Sequence, residues 1–95
     1  MKITDIYECL NDVGVANSQL EFSQVWLGRS PRYFSHLIAV GREPGIATLY
    51  ALNLRICLFA DAIQDSCQRD IFLALGNAVT AHIERRAIID IRRHA

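Results

Sequence analysis

The sequence predicts an all-α fold, a compact five-helix domain whose last helix is long. Apolar residues recur every three or four positions along most of the chain, which is the period of an amphipathic helix. Glycines and serines of the kind that end or begin helices divide this pattern into segments. Because 95 residues without a linker or a repeat supply one core, we expect one domain over residues 1–95.

The first predicted helix is amphipathic. One face carries Ile3, Ile6, Leu10 and Val13, and acidic residues occupy another face. Gly14 is expected to end this helix, because glycine adopts the left-handed conformation at little cost.

The second predicted helix begins at a capping box. Ser18 would accept a hydrogen bond from the Glu21 amide, and the Glu21 carboxylate would accept one from the Ser18 amide. The helix is expected to end at Gly28. Its apolar side is predicted to consist of Phe22, Val25 and Trp26.

The third predicted helix spans residues 31–40. Ser30 suits the N-cap and Pro31 the first helical position, and Gly41 is expected to end the helix. Tyr33 fits either the inward or the outward side of this helix. The predicted inward residues are Phe34, Leu37 and Ile38, and the predicted outward residues are Arg32, Ser35, His36 and Ala39.

Two longer helices complete the pattern. After a turn at 41–45, residues 46–64 are apolar on nearly every face, which predicts a buried central helix and a helical core over about 1–64. A junction at 65–68 leads to a final helix over 68–93. Its end is ambiguous, because the β-branched residues within 87–92 also suit a strand. The stripe of this last helix is Phe72, Leu75, Val79, Ile83, Ala87 and Ile91.

The charges of the chain are unevenly distributed. Ten basic and ten acidic residues give a net charge of zero, yet the stretch from Phe22 to Arg42 contains no acid. This locally basic stretch carries Arg29, Arg32, His36 and Arg42. The sequence therefore predicts one basic face on a neutral protein.

No motif for catalysis, a metal or a cofactor is recognisable. Cys9, Cys57 and Cys67 are widely spaced and flanked by apolar residues, so we expect reduced, buried thiols. The histidines and cysteines lack metal-ligand spacing, and no phosphate-binding glycine loop occurs. We expect a protein that is not an enzyme and that binds no cofactor. Without an apolar run of about 18 residues, we also expect no membrane contact and a cytoplasmic location.

The region from Ser18 to Leu54 resembles the lambda-repressor-like (Cro/C1-type) helix-turn-helix family. The likeness lies in an apolar helix ending Leu27-Gly28, a serine cap and a helix containing Phe34-Ser35-His36-Leu37. A Gly-Arg-Glu-Pro turn and a helix opening Ile-Ala-Thr-Leu follow. Departures from the family pattern are Gln24, where an alanine is usual, and one extra residue between Ser35 and Gly41.

This resemblance implies a central helix-turn-helix whose 31–40 helix enters the major groove of double-stranded DNA. Arginine commonly reads guanine, and residues at the helix borders commonly hold phosphates. The implied DNA-binding residues are Arg29, Ser30, Arg32, Tyr33, Ser35, His36 and Arg42. In such regulators the helices after the motif often form a dimer, which implies a homodimer through 68–93.

Two functions fit the sequence. The first is a small, bacterial-type transcriptional regulator that binds DNA as a homodimer. The second is an all-helical protein-interaction module on the same scaffold, which the zero net charge and the acidic first helix favour. In that case, Arg29 and Arg32 would be solvated or paired with acids of the first helix.

Overall fold

The computed structural model describes residues 1–94, and these form five helices. Helix α1 spans Ile3–Asp12, and α2 begins with Gln19–Glu21 and continues as a π-helical turn over Phe22–Trp26. Helices α3, α4 and α5 span Tyr33–Val40, Ile46–Ala62 and Ser66–His94. The all-α class, the five helices and the long C-terminal helix are confirmed. Residues 87–92 are helical, which resolves the ambiguity between helix and strand.

Several helix ends lie where local sequence places them. The Ser18 hydroxyl accepts a hydrogen bond from the Glu21 amide at 3.0 Å, as the capping box requires. The predicted hydrogen bond from the Ser18 amide to the Glu21 carboxylate is wrong, because this carboxylate accepts instead from the Asn17 side chain at 3.4 Å. Gly41 ends α3 with a φ of 66°, and the Arg42 amide donates to the Leu37 carbonyl at 3.0 Å.

Aromatic rings join all five helices. Tyr7, Phe22 and Phe34 meet with ring centroids 4.8 to 5.2 Å apart, which ties α1, α2 and α3 together. Phe59 lies 5.5 Å from Trp26 and 5.0 Å from Phe72, which ties α2, α4 and α5 together. Such edge-to-face and tilted pairs stabilise a core by about 0.5–1.5 kcal/mol each beyond the area they bury.

The π-helical turn changes which residues of α2 face the core. The Leu27 amide donates to the Phe22 carbonyl, five residues back, so each turn here contains an extra residue. Phe22 and Trp26 are buried as predicted, but Val25 is 56% exposed and Ser23 is fully buried. The prediction that Val25 faces inward is wrong because it assumed the α-helical period.

Helix α3 begins two residues later than predicted. Ser30 does not cap it, since its carbonyl accepts from the Tyr33 amide in a turn that contains Pro31. The cap comes from α2, where the buried Ser23 hydroxyl accepts from the Phe34 amide at 2.9 Å. Ile38, predicted to face inward, is 45% exposed.

Helices α4 and α5 pack side by side in opposite directions. The Asn53 side chain donates to the Thr80 hydroxyl at 2.8 Å, and the Arg86 guanidinium donates to the Pro44 carbonyl at 2.6 Å. A break between these helices is confirmed, but it spans 63–65 and not 65–68. An Asp65 carboxylate oxygen accepts from the Cys67 amide at 2.9 Å and caps α5, which therefore begins at Ser66.

Helix α4 is not buried all round, contrary to expectation. Its buried residues are Leu49, Leu52, Ile56 and Ala60. Tyr50, Leu54 and Leu58 are 56%, 47% and 70% exposed. Their spacing of four residues places them on one face. Helix α2 lies close to this face only at Leu58, which lines a groove beside Val25 and Trp26, and the three residues of this open apolar face all remain exposed.

Helix α5 buries its first half only. Phe72, Leu75 and Val79 lie in the core of the chain, so most of the stripe assigned to dimerisation is unavailable for it. Beyond the contact of Arg86 with Pro44, the exposed residues include Ile88, Ile89 and Ile91.

The cysteine prediction is wrong for two of the three residues. Cys57 and Cys67 are exposed, and Cys9 is half-buried, with all three thiols free. Burial, and to a lesser extent the neighbouring Asp12 carboxylate, raise the pKa of the Cys9 thiol above its ordinary value.

No helix within residues 1–94 combines the length and the apolar content that a membrane crossing requires.

Ser23→Ala tests the cap that α2 provides. The substitution leaves the Phe34 amide buried without its acceptor, so we expect the free energy of unfolding to fall by about 1–3 kcal/mol. Urea denaturation followed by circular dichroism measures this. Ser35→Ala is the matched control, because its exposed hydroxyl contacts only the Arg32 carbonyl. Equal stability losses in the two variants would contradict the assigned role of Ser23.

Candidate nucleic-acid interface

The turn between α2 and α3 is held by one residue of the π-helical turn. Ser23 accepts from the Arg29 amide through its carbonyl at 2.9 Å and from the Phe34 amide through its hydroxyl at 2.9 Å. Gly28, with a φ of 65°, provides the left-handed conformation needed between these bonds. The start of α3 is therefore fixed relative to α2. A helix that binds a partner through its outer face requires such a fixed orientation.

The seven predicted DNA-binding residues lie on or beside α3. Six are exposed, and Tyr33 is half-buried against the core. The Arg29 guanidinium lies 4.7 Å from the centroid of the Tyr33 ring, so a cation–π contact joins the two. The Ser35 hydroxyl donates to the Arg32 carbonyl at 3.0 Å, which leaves its lone pairs available. The exposed six are Arg29, Ser30, Arg32, Ser35, His36 and Arg42.

The nearest acid along the chain is already engaged. Glu43 follows this basic stretch, and its carboxylate accepts from the Ile3 amide at 2.7 Å. It thereby caps α1, and its negative charge interacts favourably with the positive amino end of that helix. Lys2 and Arg42 line one shallow groove between the start of α1 and the end of α3. The basic surface thus extends from α3 toward the chain's amino terminus.

Helix α5 adds cations near the same end of the molecule. Because Arg86 donates to the Pro44 carbonyl, this arginine lies against the turn that follows Arg42. The sequence showed a basic pair at Arg85 and Arg86 but not its position. That position depends on the antiparallel packing of α4 and α5, for which the chain carries no local signal.

His82 lies among these charges and is half-buried. Burial is the main cause that lowers its pKa below the ordinary 6.5, and the amino terminus, Arg86 and Arg85 act in the same direction. Glu43 acts in the opposite direction. The unfolded chain therefore binds a proton at His82 more tightly than the folded chain does.

His82→Asn tests this arrangement through pH. Unfolding of the wild type takes up a proton at His82, so its stability should fall as the pH drops through 6.5 toward the lower folded pKa. The variant lacks this group and should lose less stability over the same interval. Urea midpoints across the interval measure the two slopes. Identical slopes would show that His82 titrates alike in both states.

The chemistry available at this surface is anion binding. Guanidinium groups and hydroxyls are both donors to phosphate oxygens. Within residues 1–94, no group of three or more histidine, cysteine or acidic side chains is placed to hold a metal ion.

Comparisons with known proteins give one match. No curated protein and no solved structure matches the chain. A family of unknown function, DUF6626, matches residues 3–92, which include every helix apart from the last two residues of α5. The chain therefore belongs to the DUF6626 family, whose function is unknown.

Proposed function

We propose that this protein binds double-stranded DNA as a homodimer, with α3 in the major groove, and regulates transcription. The observation that carries the proposal is the surface around α3. The exposed cations Arg29, Arg32 and Arg42 flank this helix, Ser35 and His36 are exposed on it, and the whole stretch from Phe22 to Arg42 contains no acid. The major groove is about 12 Å wide and admits a helix. Such a bacterial-type regulator would act in the cytoplasm and would need neither catalysis nor a cofactor.

The residues divide by their position on α3. Arg32 is the N-cap residue, so its side chain is placed to reach a base edge at the start of the helix. Ser35 and His36 follow on the exposed face. Arg29 and Arg42 flank α3 and suit phosphates. The contact with Tyr33 restricts Arg29, so less side-chain entropy is lost on binding.

The resemblance to Cro/C1-type regulators supports the same reading, with one adjustment. The segment between α2 and α3 spans 27–32, because α3 begins at Tyr33 rather than at Pro31. Ser30 therefore belongs to the turn and is assigned to a phosphate, while Arg32 is assigned to a base. Both residues stay within the proposed interface.

The salt dependence of DNA affinity tests the proposal. Neutralised phosphates release counterions, so affinity for a mixed-sequence duplex should fall steeply as salt rises. Fluorescence anisotropy with a labelled duplex at several salt concentrations measures the slope. Arg42→Gln should reduce that slope by about 1 if this arginine holds one phosphate. Once a preferred site is selected, Arg32→Ala should cost about 1–3 kcal/mol there.

Arg69→Gln is the matched control for charge. Arg69 is exposed, and its guanidinium donates to the Ile63 carbonyl at the junction of α4 and α5. It should keep the wild-type affinity and salt slope. Flat, millimolar binding by the wild type, or equal effects of Arg42→Gln and Arg69→Gln, would refute DNA binding by this face.

The homodimer requires apolar surface that the single chain leaves open. The buried stripe of α5 cannot provide it, so we assign the contact to Tyr50 and Leu54 on the open face of α4 and to the last turns of α5. The same open face favours the second candidate function, a protein-interaction module. In that case, Tyr50, Leu54 and Leu58 would contact a different protein, and DNA affinity would be absent.

Leu54→Lys and Ile91→Lys distinguish these assignments. Each places a charge in the proposed dimer contact, so sedimentation velocity should show a shift from dimer to monomer at micromolar concentration. Leu20→Lys is the control, because this leucine is 53% exposed on α2, away from α4 and α5. A wild-type monomer at millimolar concentration would contradict the homodimer and leave the open face to another protein.

A further inference from the structure

An apolar groove lies between α2 and α4. Its volume is about 420 Å³, within the range of about 300–1,000 Å³ that is typical of ligand sites. Val25 and Trp26 line it from α2, and Leu58 and Phe59 line it from α4. Val25 and Leu58 are 56% and 70% exposed, so the groove is open to a molecule from solvent.

Arg55 is the one charged residue in the lining of this groove. It is half-buried, and its Nη1 donates to the Trp26 carbonyl at 3.2 Å. A guanidinium has five N–H donors in a planar fork, so most of its capacity is left for other acceptors. No acidic residue lines the groove. A partly desolvated cation beside apolar walls favours an anion that brings its own apolar surface.

We propose that this groove binds a small amphiphile that has a carboxylate head and a single hydrocarbon chain. The carboxylate would accept two hydrogen bonds from the Arg55 fork, and the chain would lie between Val25, Leu58 and Phe59. A nucleotide or a sugar does not fit this lining, because its further polar groups would face apolar side chains.

The position of Arg55 connects the groove with α3. A Cβ atom built on Gly28 would lie 2.6 Å from Arg55 Nη2, so the guanidinium lies directly against the turn between α2 and α3. A carboxylate that reorients this guanidinium acts on the segment that positions α3. This effect of the ligand on α3 rests on the proposed DNA binding, whereas the binding of the ligand in the groove does not.

Trp26 provides the measurement, since it is the only tryptophan of the chain and lines the groove. Three probes separate the parts of the ligand: decanoate below its critical micelle concentration, 1-decanol below its solubility limit, and acetate. Decanoate should change Trp26 fluorescence saturably and bind about tenfold or more tighter than 1-decanol, because only its head group pairs with Arg55. Acetate, which has no chain, should not saturate at the same concentrations.

Variants assign the two halves of the site. Arg55→Gln should lower decanoate affinity to that of 1-decanol and leave 1-decanol affinity unchanged. Val25→Asp should weaken both probes. Arg69→Gln, the charge-matched control at the start of α5 and outside the groove lining, should change neither.

Two results would overturn the proposal, and the first needs no variant. Equal affinities of decanoate and 1-decanol for the wild type, or no saturable binding of decanoate, would exclude a carboxylate site. Unchanged decanoate affinity in a folded Arg55→Gln protein would exclude Arg55. Because fluorescence is measured without DNA, these results are independent of whether α3 binds DNA. Added decanoate that shifts DNA affinity in the wild type but not in Arg55→Gln would establish the regulatory link.

Discussion

The buried hydroxyl of Ser23 is the contact on which the candidate interface depends. It satisfies an amide at the start of α3, where four N–H groups lack partners inside the helix, and it does so from a neighbouring helix. The Ser23 carbonyl also holds the Arg29 amide. One residue thereby orients α3 and the turn before it. The aromatic contact of Phe22 with Phe34 supports the same junction from the core side.

The sequence predicts the fold well where a structural feature depends on interactions within a few residues. Ser18 and Gly41 were assigned correctly, because a serine oxygen or a left-handed glycine acts within a few residues. Val25 and the start of α3 were not, because the π-helical turn and its cap arise from packing between helices. The exposure of Ser35 and His36 follows from helical spacing along α3. The arrival of Arg86 beside Pro44 depends on tertiary structure, which spacing does not encode.

The two proposed binding surfaces are complementary in character and share one connecting segment. The surface of α3 and its flanking arginines presents cations and hydroxyls to a polyanion, and the groove between α2 and α4 presents apolar walls with a single cation. Arg55 and Gly28 lie at the boundary between them. A domain of this size has only one core, so a ligand in the groove and a partner on α3 contact the same few helices. Communication over so short a path requires only a small movement of the turn.

The π-helical turn in α2 also bears on how such a chain can change over time. A π turn holds one more residue than an α turn, so deletion of a single residue within Phe22–Trp26 would restore the ordinary helical register. The residues after the turn would then keep their orientation, whereas the residues within it, which include Ser23 and the groove residue Val25, would be repositioned together. One residue of chain length within the π turn thus couples the orientation of α3 to the shape of the groove. Homologous chains that differ in length at this turn should differ in the orientation of α3 and in the shape of the groove.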